Sequence, residues 1–187
     1  MGTATLVPPT SSPPIGRLAH IWAWLRHAGT RHLGAFGVTA VLALGAGGEL
    51  IARCTPAPAP SQQQQVVDLV NQRRAQAGLP ALRVDYRLSN AAQAHSQDQA
   101  ARRVMSHIGS NGSTVGTRVT RAGYRWSRVV ENVAAGYGSA GGAVTGWMNS
   151  PSHRANVLDP KVIHIGVGLA YSSNGTPYWT MDAARPG

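Results

Sequence analysis

One break divides this chain, and it confines whatever folds to one side. Residues 33–48, LGAFGVTAVLALGAGG, run sixteen positions without a charge, and a stiff stretch, TPAPAPS at 55–61, follows closely. Upstream, residues 1–32 carry Pro8, Pro9, Pro13 and Pro14, then Arg17, Arg26 and Arg31, and no acid. A basic leader before a short apolar run is the pattern of an export signal. The basic flank would stay in the cytoplasm and send the C-terminal part out. The run falls short of the roughly 20 apolar residues that span a bilayer comfortably, but Leu50 to Ala52 extends it beyond Glu49. A cleaved signal peptide and a retained transmembrane helix both fit. The expected organisation is a basic leader (1–32), a hydrophobic signal or membrane-anchor segment (33–53), a Pro/Ala linker (54–61) and one domain (62–187).

Composition narrows the function classes. The 187 residues hold 17 basic and 7 acidic side chains, a net charge of +10. Residues 62–187 alone carry thirteen basic against six acidic groups, about +7. Such a charge attracts anionic polymers and membrane surfaces and says nothing about fold. The arginines are spread over every segment without aromatic interleaving, so no nucleic-acid partner is expected. The single cysteine, Cys54, excludes an internal disulfide framework and any multi-cysteine zinc site. Lipidation at Cys54 is opposed by Arg53, where a lipoprotein signal wants a small residue.

Within 62–187 the periodicities put helices first. Val66, Val67, Val70, Arg74 and Ala77 share a face, and Gly78 with Pro80 stops that helix. Leu88, Ala91, Ala92 and His95 mark a second helix running to about Arg103. A third should end at Ala122 with Gly123 as its left-handed cap, and Ala143–Met148 suggests a fourth, broken at Ser150-Pro151. Alternation from Ile163 to Leu169, a turn at Asn174-Gly175 and alternation from Tyr178 to Asp182 predict a terminal hairpin. The fold class is α+β.

Four places carry possible chemistry. His95 sits in the second helix, where a hydrogen-bonded core histidine is the simplest role. Ser106-His107 precedes a flexible Gly109–Gly112 stretch. Glu131, the only glutamate within 62–187, is flanked by Val129, Val130 and Val133, which should raise its pKa unless a cation or histidine compensates. His153 lies beside Arg154 after a helix break. Two histidines and a carboxylate can bind a divalent metal or work as an acid–base set, yet the spacings 107, 131 and 153 match no local metal signature. No Gly-x-Ser-x-Gly, phosphate loop or Cys-x-x-Cys occurs.

In order along the chain stand Ala94-His95-Ser96-x-Asp98, Ser106-His107 with Gly112, Arg118-x-x-x-Ala122-Gly123-Tyr124, Glu131-Asn132-Val133-Ala134-x-Gly136-Tyr137, Trp147-Met148-Asn149-Ser150-Pro151-x-His153-Arg154-x-Asn156-Val157-Leu158 and Ile165-Gly166-Val167-Gly168. This succession resembles the bacterial branch of the CAP superfamily, the SCP-like extracellular domain. The resemblance implies a three-layer α-β-α sandwich, export, and a central cleft lined by His107, Glu131, His153 and, in place of a second acid, Ser150. It implies that His107 and His153 can hold a divalent metal such as zinc, with His95 and Asn132 behind them. Val130, Asn111 and Ser152 depart from the usual glycine, aspartate and glycine of the family motifs.

Members share no single reaction, so the site must decide. The leading expectation is an exported, non-enzymatic module whose cleft takes a metal, a small ligand, a lipid or another cell-envelope component. One alternative is a metal-assisted hydrolase of peptide or envelope material in which Glu131 activates water. The other is an Arg-rich adhesive for anionic wall polymers with a vestigial cleft. Membrane contact is expected only through the N-terminal segment.

Overall fold

The computed structural model describes residues 58–187, and before them only the backbone of two strands, β1 (Thr39–Leu44) and β2 (Leu50–Thr55). These pair antiparallel, Thr39 opposite Thr55 and Leu44 opposite Leu50. The part of the expected apolar span that is described is thus two paired strands and not one continuous helix. No helix among the described residues is long and apolar enough to cross a membrane. The expected basic leader, 1–32, lies outside the described residues. The chain divides into two units at Ala57/Pro58.

The second unit follows its local signals. Helix α1 (Gln62–Gln76) starts where the Ser61 hydroxyl accepts from Gln64 N–H and stops before Gly78, whose φ of +71° is left-handed. Helix α2 (Tyr86–Arg102) is capped by the Asp85 carboxylate and closed by Arg103 in a left-handed conformation. Helix α3 (Val115–Arg121) begins at a Thr114 cap and gives way to Gly123, φ +85°. Helix α4 (Ala140–Asn149) starts at Ser139, and Ser150 separates it from α5 (Pro151–Val157), which has proline in its first turn. The break at Ser150-Pro151 therefore starts a fifth helix rather than a loop, because proline at the first helical position lacks only a donor that would be unpaired anyway.

One four-stranded sheet runs β3-β5-β6-β4, with β3 (Arg83–Val84) parallel to β5 (His164–Tyr171) and the rest antiparallel. Strand β6 (Pro177–Pro186) returns from the Asn174-Gly175 turn. Strand β4 (Trp126–Ala135) forms the edge; the sequence reading placed Glu131 without assigning it to a strand. Helices α1, α4 and α5 cover one face and α2 with α3 the other, a three-layer α-β-α sandwich.

The main core lies under α1, α4 and α5, built from Val66, Val70, Trp147, Ile165, Trp179 and Met181 among others. Arg74 is buried there: Nε donates to Pro80 O at 3.0 Å and Nη1 to the carbonyls of Val157 and Asp159 at 2.9 Å, joining α1 to the end of α5. On the opposite face α2 lies almost directly on the sheet. A Cβ at Gly166 would collide with the backbone of Leu88 and Ser89, and one at Gly168 with that of Ala92, so the Gly-x-Gly of β5 is what this close approach requires.

Candidate functional site

Edge strand β4 places Glu131 directly opposite Asp182 of β6, on the face covered by α2. Both carboxyls are buried. Glu131 Oε1 accepts from His107 Nδ1–H at 2.8 Å, Oε2 accepts from Arg118 Nη2, and His95 Nε2 stands 3.9 Å away. Burial alone would push the Glu131 carboxyl up. The hydrogen bond from His107 and the charge of Arg118 outweigh it and hold the group below its ordinary value. The compensating histidine and cation required by the sequence are therefore present.

Asp182 has the opposite fate. It is wholly inaccessible, no donor among the described residues reaches either carboxyl oxygen, and it lies opposite Glu131 in the β4–β6 pair. Burial first, then the Glu131 charge, raises its pKa well above its ordinary value. Burial and the facing Glu131 charge both favour the protonated form of Asp182. Asp182 and Arg118 are the site residues the sequence reading did not assign. Alternation along β6 carried a signal for Asp182, since it shares a face with Thr180, which accepts from Ser96 and Gln99 of α2.

The histidines come from both layers. His107 sits on the loop after α2, positioned by His95, whose Nε2–H donates to Ser106 O at 2.8 Å. Arg118 Nη1 grips the same loop through the carbonyls of His107 and Ser113. His153 stands on α5, whose backbone is held to β4: Asn132 Nδ2 donates to His153 O at 2.9 Å, and Asn156 donates to Asn132 Oδ1 and to Glu131 O. His95 and Asn132 thus both stand behind the site, His95 as a fully buried core residue as well.

His107, Glu131 and His153 line one cleft of about 420 Å³ over the β4 edge, with Ile108, Val115, Val129 and Val130 as its apolar wall. Ser150 is displaced from its expected place: it caps the junction of α4 and α5, 3.4 Å from the Ser152 hydroxyl, and Ser152 lines the cleft instead. The Glu131 hydrogen bond raises the His107 pKa, while burial, then the charge of His107, lowers that of His153.

The donor set does not complete a protein-held metal centre. No group of three or more His, Cys, Asp or Glu side chains with that geometry occurs among the described residues. Both Glu131 oxygens are engaged, which leaves two imidazoles, fewer than the three protein ligands of a catalytic zinc.

The comparisons agree with this architecture. The model of the cysteine-rich secretory protein (CAP) family matches residues 67–183. YkwD, an uncharacterised protein of Bacillus subtilis, is 34% identical over 127 residues, 68% of this chain and 48% of its own length. YlbC, described as a membrane protein of the same organism, is 30% identical over 64% of this chain and 35% of its own. The chain thus spans less than half of these curated relatives. A Bacillus anthracis extracellular protein containing an SCP domain superposes with a TM-score of 0.61 at 31% identity, covering 66% of this chain and 40% of that one. An outer surface protein of Borrelia burgdorferi, 18% identical, shares the fold with a TM-score of 0.63 over 67% of this chain and 93% of its own. With a family match over more than half its length, the chain belongs to the cysteine-rich secretory protein (CAP) family.

Proposed function

We propose that the protein is an exported, non-enzymatic binding module whose His107–Glu131–His153 cleft takes a small amphiphile from the cell envelope. The observation that carries this reading is the state of Glu131. A general base works best with a pKa near the operating pH, and the Glu131 carboxyl is held below its ordinary value by His107 and Arg118. Glu131 therefore orients His107 and leaves Nε2 toward ligand. The aliphatic wall suits a short acyl chain, and the two imidazoles suit its anionic or hydroxyl head; the cleft volume is in the range of small-ligand sites. Export rests on the leader pattern and on the extracellular Bacillus anthracis relative. If zinc binds here, the imidazoles of His107 and His153 would hold it.

The test is calorimetric titration of the full chain with octanoate, with zinc in a parallel series. Saturable octanoate binding that weakens about tenfold in His107→Ala supports the reading. Hydrolysis of a peptide or wall fragment that Glu131→Gln abolishes would overturn it in favour of the hydrolase. The adhesive alternative draws on the net +7 of residues 62–187. It expects salt-sensitive pelleting with cell walls that His107→Ala and His153→Ala leave unchanged.

A further inference from the structure

The loop that joins α2 to α3 turns apolar side chains outward. Eight large apolar or aromatic side chains are exposed among the described residues, and three of them, Val104, Met105 and Ile108, fall within five consecutive positions. They are 48%, 52% and 48% exposed. Single exposed aliphatics need no explanation, whereas a cluster on a folded domain marks a contact surface. Ile108 also belongs to the apolar wall of the cleft, together with Val115. Beside Val115, the Trp126 ring packs on Gly116 so closely that a Cβ there would collide with it. The indole Nε1–H is tied to Gly116 O and Thr120 Oγ1, and the ring is 40% exposed. The loop and the indole are thus linked through the cleft wall.

The backbone of this loop is staked to its neighbours. Val104 N–H donates to Gln99 O and Ser106 N–H to Gln99 Oε1, each at 3.1 Å. Ile108 N–H donates to Ser106 Oγ, while the carbonyls of Ser106, His107 and Ile108 accept from His95, Arg118 and Arg102. The apolar side chains cannot fold inward without breaking this set. These backbone groups, which a low-dielectric phase would otherwise strand, already have partners within the protein.

Charge surrounds the apolar groups with one sign. Residues 99–130 hold six arginines and no acid. Asp98, just upstream, is held by Arg102 at 2.8 Å and by Ser110 N–H at 3.0 Å. Exposed Arg103 opens the loop in a left-handed conformation that glycine would adopt without strain. Exposed Arg121 borders the Gly109–Ser113 turn that follows the loop. Neither has an ion-pair partner among the described residues.

We propose that the 103–108 loop, with Trp126, docks the domain on the surface of an anionic lipid bilayer. Cations beside exposed aliphatic groups match phosphates beside acyl chains, which is what selects a bilayer as the occupant. Val104, Met105 and Ile108 enter the boundary between headgroups and acyl chains, the indole lies at headgroup level, and Arg103 and Arg121 meet lipid phosphates. This surface extends membrane contact beyond the N-terminal segment and goes beyond the cleft reading, since it holds whatever the cleft takes.

The test keeps the full chain, with Cys54→Ser removing the native thiol. One polarity-sensitive thiol dye is placed at Met105→Cys or, as the reference, at Ala75→Cys, an exposed position of α1 on the other side of the sheet. The vesicles are phosphatidylcholine alone or with about a third phosphatidylglycerol. The dye at Met105→Cys should shift to the blue on anionic vesicles, and the dye at Ala75→Cys should not respond. Arg103→Gln should raise the half-saturating lipid concentration about fivefold, and Ile108→Ser by a similar factor of about five to ten. No shift at Met105→Cys overturns the proposal. Equal shifts at the two positions also overturn it, because the N-terminal segment alone would then hold the chain at the membrane. Equal half-saturation on neutral and anionic vesicles overturns it too, since the arginines would then contribute nothing. The octanoate titration is carried out without vesicles, so either reading can fail while the other stands.

Discussion

The two faces of the central sheet are built on different principles. Toward α1, α4 and α5, strands β5 and β6 present Ile165, Val167, Trp179, Met181 and Ala183 to a continuous apolar core. Toward α2 and α3, the alternate positions are Gly166, Gly168, Thr180, Asp182 and Ala184, and the buried apolar cluster shrinks to five residues around Leu88 and Tyr124. The second face is held by close backbone approach and by hydrogen bonds from Ser96 and Gln99 to Thr180. The first face supplies non-directional stability; the second fixes positions. Glu131, Asp182 and the contact that orients His107 all belong to the second, because a preorganised polar group needs directional partners.

The largest effect should come from the apolar face. Trp147 is fully buried, and its Nε1–H donates to Val133 O at 3.1 Å. Trp147→Ala should cost about 3–5 kcal/mol in urea unfolding, through the cavity and the stranded carbonyl. A cost under about 1 kcal/mol would mean that this face is not the principal core.

On the polar face the comparable test is Arg118→Ala. Removing one partner leaves the buried Glu131 charge without its cation, with a penalty of roughly 3 kcal/mol, and frees the loop that carries His107. The distinguishing signature is pH. With the guanidinium gone, Glu131 should take up its proton at higher pH than in the parent, so the destabilisation should shrink on acidification. The Trp147→Ala loss should be nearly independent of pH. Parallel pH profiles for the two variants would erase the contrast between the faces.

The same contrast governs what the sequence discloses. Apolar periodicity and stop signals locate α1, α2 and α3 and the terminal hairpin, because burial patterns and glycine caps are local. Strand β4 escapes this reading: its run WSRVVENVAA has valines on both faces and a buried Glu-Asn pair in the middle, so alternation is masked. The motif succession places His107, Glu131 and His153 at one cleft, and the structure brings them there. It does not disclose that Asp182, fifty-one positions from Glu131, faces it, because that is a matter of β4–β6 register. Nor does it show that Ser152 replaces Ser150 at the cleft, since this depends on how Pro151 starts a separate helix.

Asp182→Asn gives a smaller effect of opposite sign. Because the folded pKa of Asp182 is raised, its contribution to stability is fully present below the unfolded carboxyl value, near 4, and is lost as pH rises toward the folded one. Asparagine has no charge to desolvate or to set against Glu131 at any pH. The variant should therefore gain stability at pH 7–8, on the order of 1 kcal/mol, and gain nothing near pH 4. Destabilisation at pH 7 would show that Asp182 is ionised in the folded protein and has a partner other than Glu131.

The smallest effect, and the sharpest probe of the site itself, is the titration of His107. Its pKa is raised, first by the hydrogen bond to Glu131 and then by that group's charge, against the opposing effect of burial. Glu131→Gln keeps an acceptor for Nδ1–H but removes the charge, so the His107 pKa should fall while the loop stays in place. His153 is lowered in part by the charge on His107, so its pKa should rise in the same variant as His107 loses its proton earlier. Opposed movement of two imidazole signals in one NMR titration follows from the cleft geometry alone. The stability consequence has a fixed sign: the His107 contribution is complete below its unfolded pKa of about 6.5 and fades as pH climbs through the raised folded value. More than half of the His107 side chain is exposed, so solvent screening keeps that contribution small and the pKa movement is the better readout. If both histidines moved in the same direction, they would not be electrostatically coupled through one cleft, and the polar face would hold two separate imidazoles in place of one site.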